Sequence, residues 1–126
     1  MPDQSSKKVL IIEDEEMLAS MYKTKFEREG FSVETAHDGE DGLAKAGAAD
    51  FDVVLVDIIM PKLDGFSVLS GLKKDPKYKD KPILLLTNLG QEEDVEKGKK
   101  LGATGYLVKA NFTPSQVVNQ VKEIVK

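Results

Sequence analysis

Three short runs of uninterrupted apolar residues punctuate the chain: Val9-Leu10-Ile11-Ile12, Val53-Val54-Leu55-Val56 and Ile83-Leu84-Leu85-Leu86. Each is built of β-branched residues and leucine and ends in a polar residue, the pattern of a strand buried on both faces. Ser32-Val33-Glu34-Thr35-Ala36 and Gly105-Tyr106-Leu107-Val108 are two further strand candidates with less apolar content. The first of them alternates polar with apolar positions, as a sheet-edge strand does.

Segments of helical length lie between these runs. From Glu15 to Glu29, Leu18, Met21, Tyr22 and Phe26 fall on one face at helical spacing, and Gly30 stands where a C-terminal cap belongs. Asp38 or Gly39 precedes a helix carrying Leu43 and Ala46, and Asp64 can cap another with Phe66, Leu69 and Leu72. Thr113-Pro114-Ser115-Gln116 combines a threonine cap, proline at the first helical position and a glutamine placed for a capping box, followed by Val117, Val118, Val121, Ile124 and Val125. The stretch from Gln91 to Leu101 offers only Val95 and Leu101 as large apolar anchors, so its attachment to the sheet is expected to be loose. Strand and helix alternate five times over short connections. This predicts an α/β, flavodoxin-like doubly wound (βα)5 domain whose parallel sheet has the order 2-1-3-4-5.

Composition narrows the classes further. A chain of 126 residues is one domain on the usual prior, and 40% hydrophobic with 32% charged residues is ordinary for a soluble globular fold. Residues 1–7 read as a short frayed segment ahead of a domain over 8–126. No cysteine occurs, which removes disulfides, thiolate metal sites and cysteine nucleophiles. No export signal or membrane span is visible, and the expected location is the cytoplasm. The net charge is -4, and of 18 basic residues only Arg28 is an arginine, which argues against direct nucleic-acid binding. The lysines at 73, 74, 77, 79 and 81 are interleaved with Asp75, Pro76, Asp80 and Pro82 and read as a solvated loop.

In an open parallel sheet the ligand site lies beyond the carboxyl ends of the strands. The residues delivered there are Glu13 and Asp14 after strand one, Asp57 after strand three, Thr87 after strand four and Lys109 after strand five. Taken singly each reads more naturally as a helix cap or a solvated polar residue; together they form three acids, a hydroxyl and an ammonium. Carboxylates about 5 Å apart repel by roughly 3 kcal/mol per pair at an effective dielectric near 20, and one lysine cannot offset three such pairs. An additional cation is implied. Oxygen donors with room for water suit magnesium better than zinc, and the lone His37, read as an exposed turn residue, is placed far from the set by topology. Magnesium on Asp14 and Asp57 would leave positions open for a phosphoryl oxygen. The first turn reads Glu13-Asp14-Glu15-Glu16, with neither glycine pattern of a nucleotide-binding loop, and it is too acidic for a bare flavin phosphate. There remains a carboxylate that accepts a phosphoryl group covalently, for which Asp57 is the candidate.

From about Lys8 to Val125 the chain resembles the receiver domain of bacterial two-component response regulators. Glu13-Asp14 resembles the acidic pair of that family, and Asp57 in Val56-Asp57-Ile58-Ile59-Met60-Pro61 resembles its phosphoacceptor. Asp64-Gly65 resembles the turn that follows, Thr87 the signalling hydroxyl, Tyr106 the switch aromatic and Lys109 the lysine. The resemblance implies phosphorelay. A sensor histidine kinase or phosphotransfer protein supplies the phosphoryl group to Asp57, and the domain changes conformation to control a downstream partner or output. It implies a signalling domain that assists its own phosphorylation and dephosphorylation rather than an enzyme. It also implies magnesium on Asp14, Asp57 and the backbone carbonyl of Ile59, with Glu13 acting through water. New phosphoryl oxygens would pair with Lys109 and attract Thr87, and Tyr106 would turn inward as Thr87 moves. The segment at 91–101 is then the natural moving face, and 91–108 the surface for a phosphorylation-linked dimer. A receiver-like scaffold that works without phosphorylation is the alternative.

Four positions depart from the family pattern. Lys109 is followed by Ala110 where proline with a cis peptide is common, and a cis bond before a non-proline residue costs about 2.5–4 kcal/mol. Asn88 follows Thr87 where a small residue is frequent, and is read equally as a group near the phosphoryl site or as a cap of the next helix. Ile59 and Leu89, two residues beyond Asp57 and Thr87, cannot hold the hydrolytic water, so slow decay of the phosphorylated state is expected.

Overall fold

A computed structural model describes residues 7–125 of the chain. The N-terminal segment expected over 1–7 lies outside the described residues except for Lys7, as does Lys126. Five strands, β1 (Lys8–Ile12), β2 (Ser32–Ala36), β3 (Val53–Val56), β4 (Ile83–Thr87) and β5 (Gly105–Val108), alternate with five helices. The helices are α1 (Glu16–Arg28), α2 (Gly39–Ala48), α3 (Gly65–Lys73), α4 (Glu92–Lys100) and α5 (Pro114–Val125). Every strand pair is parallel and the order is β2-β1-β3-β4-β5, as the pattern of strand runs predicts.

The continuous apolar runs are continuous because both sheet faces are covered. Val9, Ile11, Val53, Leu55, Leu84 and Leu86 turn toward Tyr22, Phe26, Val117, Val118 and Val121 of α1 and α5. Leu10, Ile12, Val54, Val56, Ile83 and Leu85 turn the other way, toward Val68, Leu69, Leu72 and Tyr78. Period-two alternation in β1, β3 and β4 therefore sorts one run of residues into two cores. In register, Ile12 stands opposite Ala36 and Val56, and Val56 opposite Leu85, so the residues after β1 and β3 emerge side by side.

Local signals fix the helix ends. Gly30 has φ 92°, its N–H donates to Glu27 O at 3.0 Å and that of Phe31 to Phe26 O at 3.1 Å, a Schellman closure that needs a left-handed residue. The rings of Phe26 and Phe31 meet edge to face at 5.3 Å across it. At α5 the capping box is complete: Gln116 N donates to Thr113 Oγ1 at 3.2 Å and Thr113 N to Gln116 Oε1 at 2.8 Å. Asp38 and Asp64 cap α2 and α3, accepting from Asp41 N at 2.7 Å and Ser67 N at 2.9 Å.

Two expectations are corrected. The buried stripe of α1 runs through Ala19, Tyr22 and Phe26, with Leu18 part-buried beside it. Met21 falls one position off that stripe and is half exposed, with Met17 more exposed still on the same side. The lysine-rich stretch is not simply a solvated loop. Pro76–Tyr78 forms a 3-10 turn, and Tyr78 is fully buried beneath it. The Tyr78 hydroxyl lies 2.7 Å from Ala46 O and 2.9 Å from Ala49 O, and Phe51 N donates to it at 3.4 Å, tying the stretch to the end of α2. Among the described residues no helix is long and apolar enough to cross a membrane.

Candidate functional site

The strand ends form an acidic pocket. Glu13 leaves β1 with its N–H donating to Ala36 O at 3.0 Å, and Asp57 leaves β3 with its N–H donating to Ile12 O at 3.1 Å. These ladder bonds hold both backbones in sheet register at the rim. Carboxylate oxygens of Glu13, Asp14 and Asp57 all lie within 4.8 Å of one another, with Glu13 and Asp57 buried and Asp14 exposed. Lys109, first residue of the 3-10 turn Lys109–Asn111, extends its ammonium to Glu13 Oε1 at 2.5 Å and Asp57 Oδ2 at 2.9 Å. The second oxygen of Glu13 accepts from Glu15 N at 3.1 Å, and Asp57 Oδ1 accepts from Ile59 N at 3.3 Å.

The electrostatics follow from burial. Desolvation pushes the Glu13 carboxyl up to about 7 despite its bond to Lys109. Burial alone would lower Lys109, but its bonds to Glu13 and Asp57 outweigh that and hold the ammonium above its ordinary value. The pocket thus retains one cation for three acids. It opens into a cleft of about 210 Å³ lined by Asp14, Asp57, Ile59, Thr87, Asn88 and Lys109. Oxygen-only donors, one of them exposed to a water-sized space, fit a hard divalent ion such as magnesium. A wider cleft of about 630 Å³ runs between α1 and β2. Its Lys23 pairs with Glu27 and its Lys45 with Thr35 O and Asp41, so its ammonium groups are already engaged.

Thr87 is fully buried at the end of β4, and its Oγ1 accepts from Leu89 N at 3.4 Å. It does not cap a helix: α4 begins after Gln91. Asn88 does not cap α4 either, and instead lines the cleft beside Asp57. Tyr106, half-buried on β5 against Leu85, donates its hydroxyl to Leu89 O, and burial pushes that phenol up to about 12. α4 buries only Gly98, in keeping with the loose attachment expected for 91–101. Ile59 is 60% exposed at the cleft mouth. The Lys109–Ala110 peptide is trans.

His37 is exposed, as expected, and borders the wider cleft and not the one that Asp14 and Asp57 line. Sequence reasoning missed the backbone partners. The Leu89 carbonyl under Tyr106 and the Glu15 and Ile59 N–H groups carry no residue-type signal. Gly65 does carry one: a Cβ there would stand 2.3 Å from Asp57 O, so only glycine lets α3 start this close to the pocket.

The sequence matches the response regulator receiver domain family over residues 9–122, nearly the whole described chain. The chain belongs to that family. Among its relatives is the alkaline phosphatase synthesis transcriptional regulatory protein PhoP of Bacillus subtilis, 38% identical over 121 residues. That alignment covers 96% of this chain and 49% of PhoP. The chain spans about half the length of the curated relatives it matches. Among solved structures, the chemotaxis protein CheY4 of Vibrio cholerae superposes with a TM-score of 0.88 at 37% identity, covering 94% of this chain and 98% of CheY4. The response regulator TrrA of Thermotoga maritima, solved in complex with magnesium and beryllium fluoride, gives 0.82 at 30% identity, covering 94% and 98%. A receiver domain of two-component response regulators is thus in hand, its fold and family agreeing with the expectation from the strand-end residues.

Proposed function

We propose that this receiver domain is a phosphorylation switch working in the cytoplasm, with Asp57 as phosphoacceptor and a sensor histidine kinase or phosphotransfer protein as donor. The observation that carries the reading is the Lys109 ammonium seated between buried Glu13 and Asp57, beside the exposed Asp14. In the transfer an Asp57 carboxylate oxygen forms the new P–O bond as the P–N bond to the donor imidazole breaks. The imidazole nitrogen keeps the electron pair and takes a proton from solvent. Lys109, already 2.9 Å from Asp57 Oδ2, is within reach of the developing charge on the phosphoryl oxygens, and the Ile59 N–H stands at the other carboxylate oxygen. Magnesium bound by Asp14, Asp57 and the Ile59 carbonyl, with Glu13 contributing through water, would supply neutralisation of the acidic cluster and of the transferred group.

The readout follows from the neighbours of the pocket. A phosphoryl group on Asp57 is a new acceptor for the Thr87 hydroxyl, which now accepts from Leu89 N. Thr87 and Tyr106 share the Leu89 segment, one through its N–H and the other through its carbonyl, so displacement of Thr87 is felt at Tyr106 and α4. The face at 91–108 would then engage a downstream partner or a second copy of the chain. Incubation with phosphoramidate and magnesium, followed by amide NMR, tests this: resonances of Thr87, Leu89, Tyr106 and α4 shift together. A folded protein whose resonances stay still under those conditions favours a scaffold that works without phosphorylation.

A further inference from the structure

The loop that joins the pocket to α3 contains the one backbone anomaly of its kind. Lys62 has φ 69°, and it is the only non-glycine residue with positive φ among the described residues. Leu63 N donates to Pro61 O at 2.8 Å, so Lys62 is the centre of a three-residue γ-turn of the rare, strained hand. Lysine is a poor choice for such a backbone, which glycine or asparagine adopts more readily. Strain of this kind persists only where the surroundings over-determine it.

Here they do so from two sides. The Lys62 ammonium lies 3.4 Å from Oδ2 of Asp38, which also faces the His37 ring at 3.3 Å. The Asp38 side chain is only 5% exposed against 58% for Lys62, and its other oxygen is fixed by the cap bond from Asp41 N. One partner is therefore a rigid anchor rather than a mobile surface acid. Next to it Leu63 sits on the start of α2, where a Cβ on Gly39 would stand 2.5 Å from Leu63 O. At the near end Gly65 N donates to Ile58 O at 2.8 Å, closing the loop over Asp57. Between these clamps runs Ile59, whose N–H meets Asp57 Oδ1.

We propose that Lys62 and Asp38 are positioning residues for Asp57: their ion pair holds the strained turn and so sets where the Ile59 main chain stands against the acceptor carboxylate. This rests on the reading of Asp57 as phosphoacceptor. An ion pair with one exposed partner adds little to global stability, so losses at the site are read beside unfolding measured on the same variants. Asparagine caps a helix as well as aspartate, so Asp38→Asn breaks the pair and leaves α2 capped.

The test uses the full chain and the variants Asp38→Asn, Lys62→Met, Lys62→Arg, Lys62→Gly and the double Asp38→Asn/Lys62→Met. Magnesium binding is read by calorimetry, phosphorylation rate with acetyl phosphate, and stability by urea unfolding. Asp38→Asn and Lys62→Met are each expected to weaken magnesium binding about two- to fivefold, the most that an ion pair with one exposed partner supplies. Both slow phosphorylation, the double variant is no worse than either single one, and Lys62→Arg restores the parent values. Lys62→Gly, which adopts the turn without the ion pair, keeps the parent's binding and rate, and a loss there equal to that of Lys62→Met overturns the proposal. Unchanged binding and rate in both Asp38→Asn and Lys62→Met, or losses that only track stability, overturn the proposal. A faster rate in Asp38→Asn also overturns it, since that is the signature of charge steering by Lys62. Parent protein that takes up neither magnesium nor phosphoryl groups overturns the phosphoacceptor reading together with this one. Active parent protein with unaffected variants overturns this one alone.

Discussion

Replacing Asp14 with asparagine asks directly how much repulsion the pocket carries. The three carboxylates approach within 4.8 Å, and Lys109 bonds to Glu13 and Asp57, with Asp14 at the exposed edge. At that separation a pair of full charges repels by about 3.5 kcal/mol at a dielectric near 20 and about 0.9 kcal/mol in water. Because Asp14 is exposed, the lower figure is the better guide for its two pairs. The pair with Glu13 counts about half near neutrality, since burial pushes that carboxyl up to about 7. The Lys109 ammonium beside Glu13 and Asp57 offsets about one of these repulsions, so Asp14→Asn should stabilise the magnesium-free protein by about 0.5 kcal/mol, a rise of about 1–3 °C in Tm for a domain of this size. The parent should gain stability with added magnesium as RT ln(1 + [Mg]/Kd), and the variant should gain much less. Urea and thermal unfolding in EDTA and in magnesium chloride at low ionic strength read both effects. A variant that is no more stable than the parent in EDTA, or that keeps the parent's full magnesium-induced gain, would refute the view of the pocket as an over-acidic cation site.

Other outcomes follow from the same geometry. Tyr78→Phe leaves buried backbone groups at Ala46, Ala49 and Phe51 without their hydroxyl partner and should cost about 1–3 kcal/mol in urea unfolding, with phosphorylation unaffected. Ile59→Asn puts a polar group at the cleft mouth where it can hold water, and should shorten the lifetime of phosphorylated protein followed by phosphate release; an unchanged lifetime sinks that explanation. The Asp38 carboxyl is held below its usual value by the Asp41 N–H, and further by Lys62 and His37. Its contribution is thus present above about pH 4 and lost as pH falls through the depressed value, so Asp38→Asn should flatten the acid limb of stability against pH.

Much of this was legible because the sheet is covered on both faces. A strand such as Val53–Val56 has no polar face to confuse its reading, and each such run ends where the pocket begins. Caps were equally readable where side chains make them, as at Thr113 and Gln116. What escaped was carried by backbone or by distant packing. Nothing in Pro61-Lys62-Leu63 announces a positive φ, because lysine is not a residue that seeks one. Tyr78 hides in a charged stretch because its partners are carbonyls about 30 residues earlier in the chain, supplied only by the fold. Met21 departs from the expected stripe because an apolar helical face is about 100° wide and Met21 stands at its margin. The pocket members are each commonplace in sequence, and only the register of β1, β3, β4 and β5 makes them a site.

Acceptance of a phosphoryl group by Asp57 with the help of magnesium changes the mass of the intact protein. Intact-mass spectrometry after incubation with acetyl phosphate tests it most directly, using parent protein and Asp57→Asn, each with magnesium chloride or EDTA. One added phosphoryl group is expected on the parent with magnesium, far less in EDTA, and none on Asp57→Asn. An adduct of equal yield on Asp57→Asn, or one indifferent to magnesium, would contradict it.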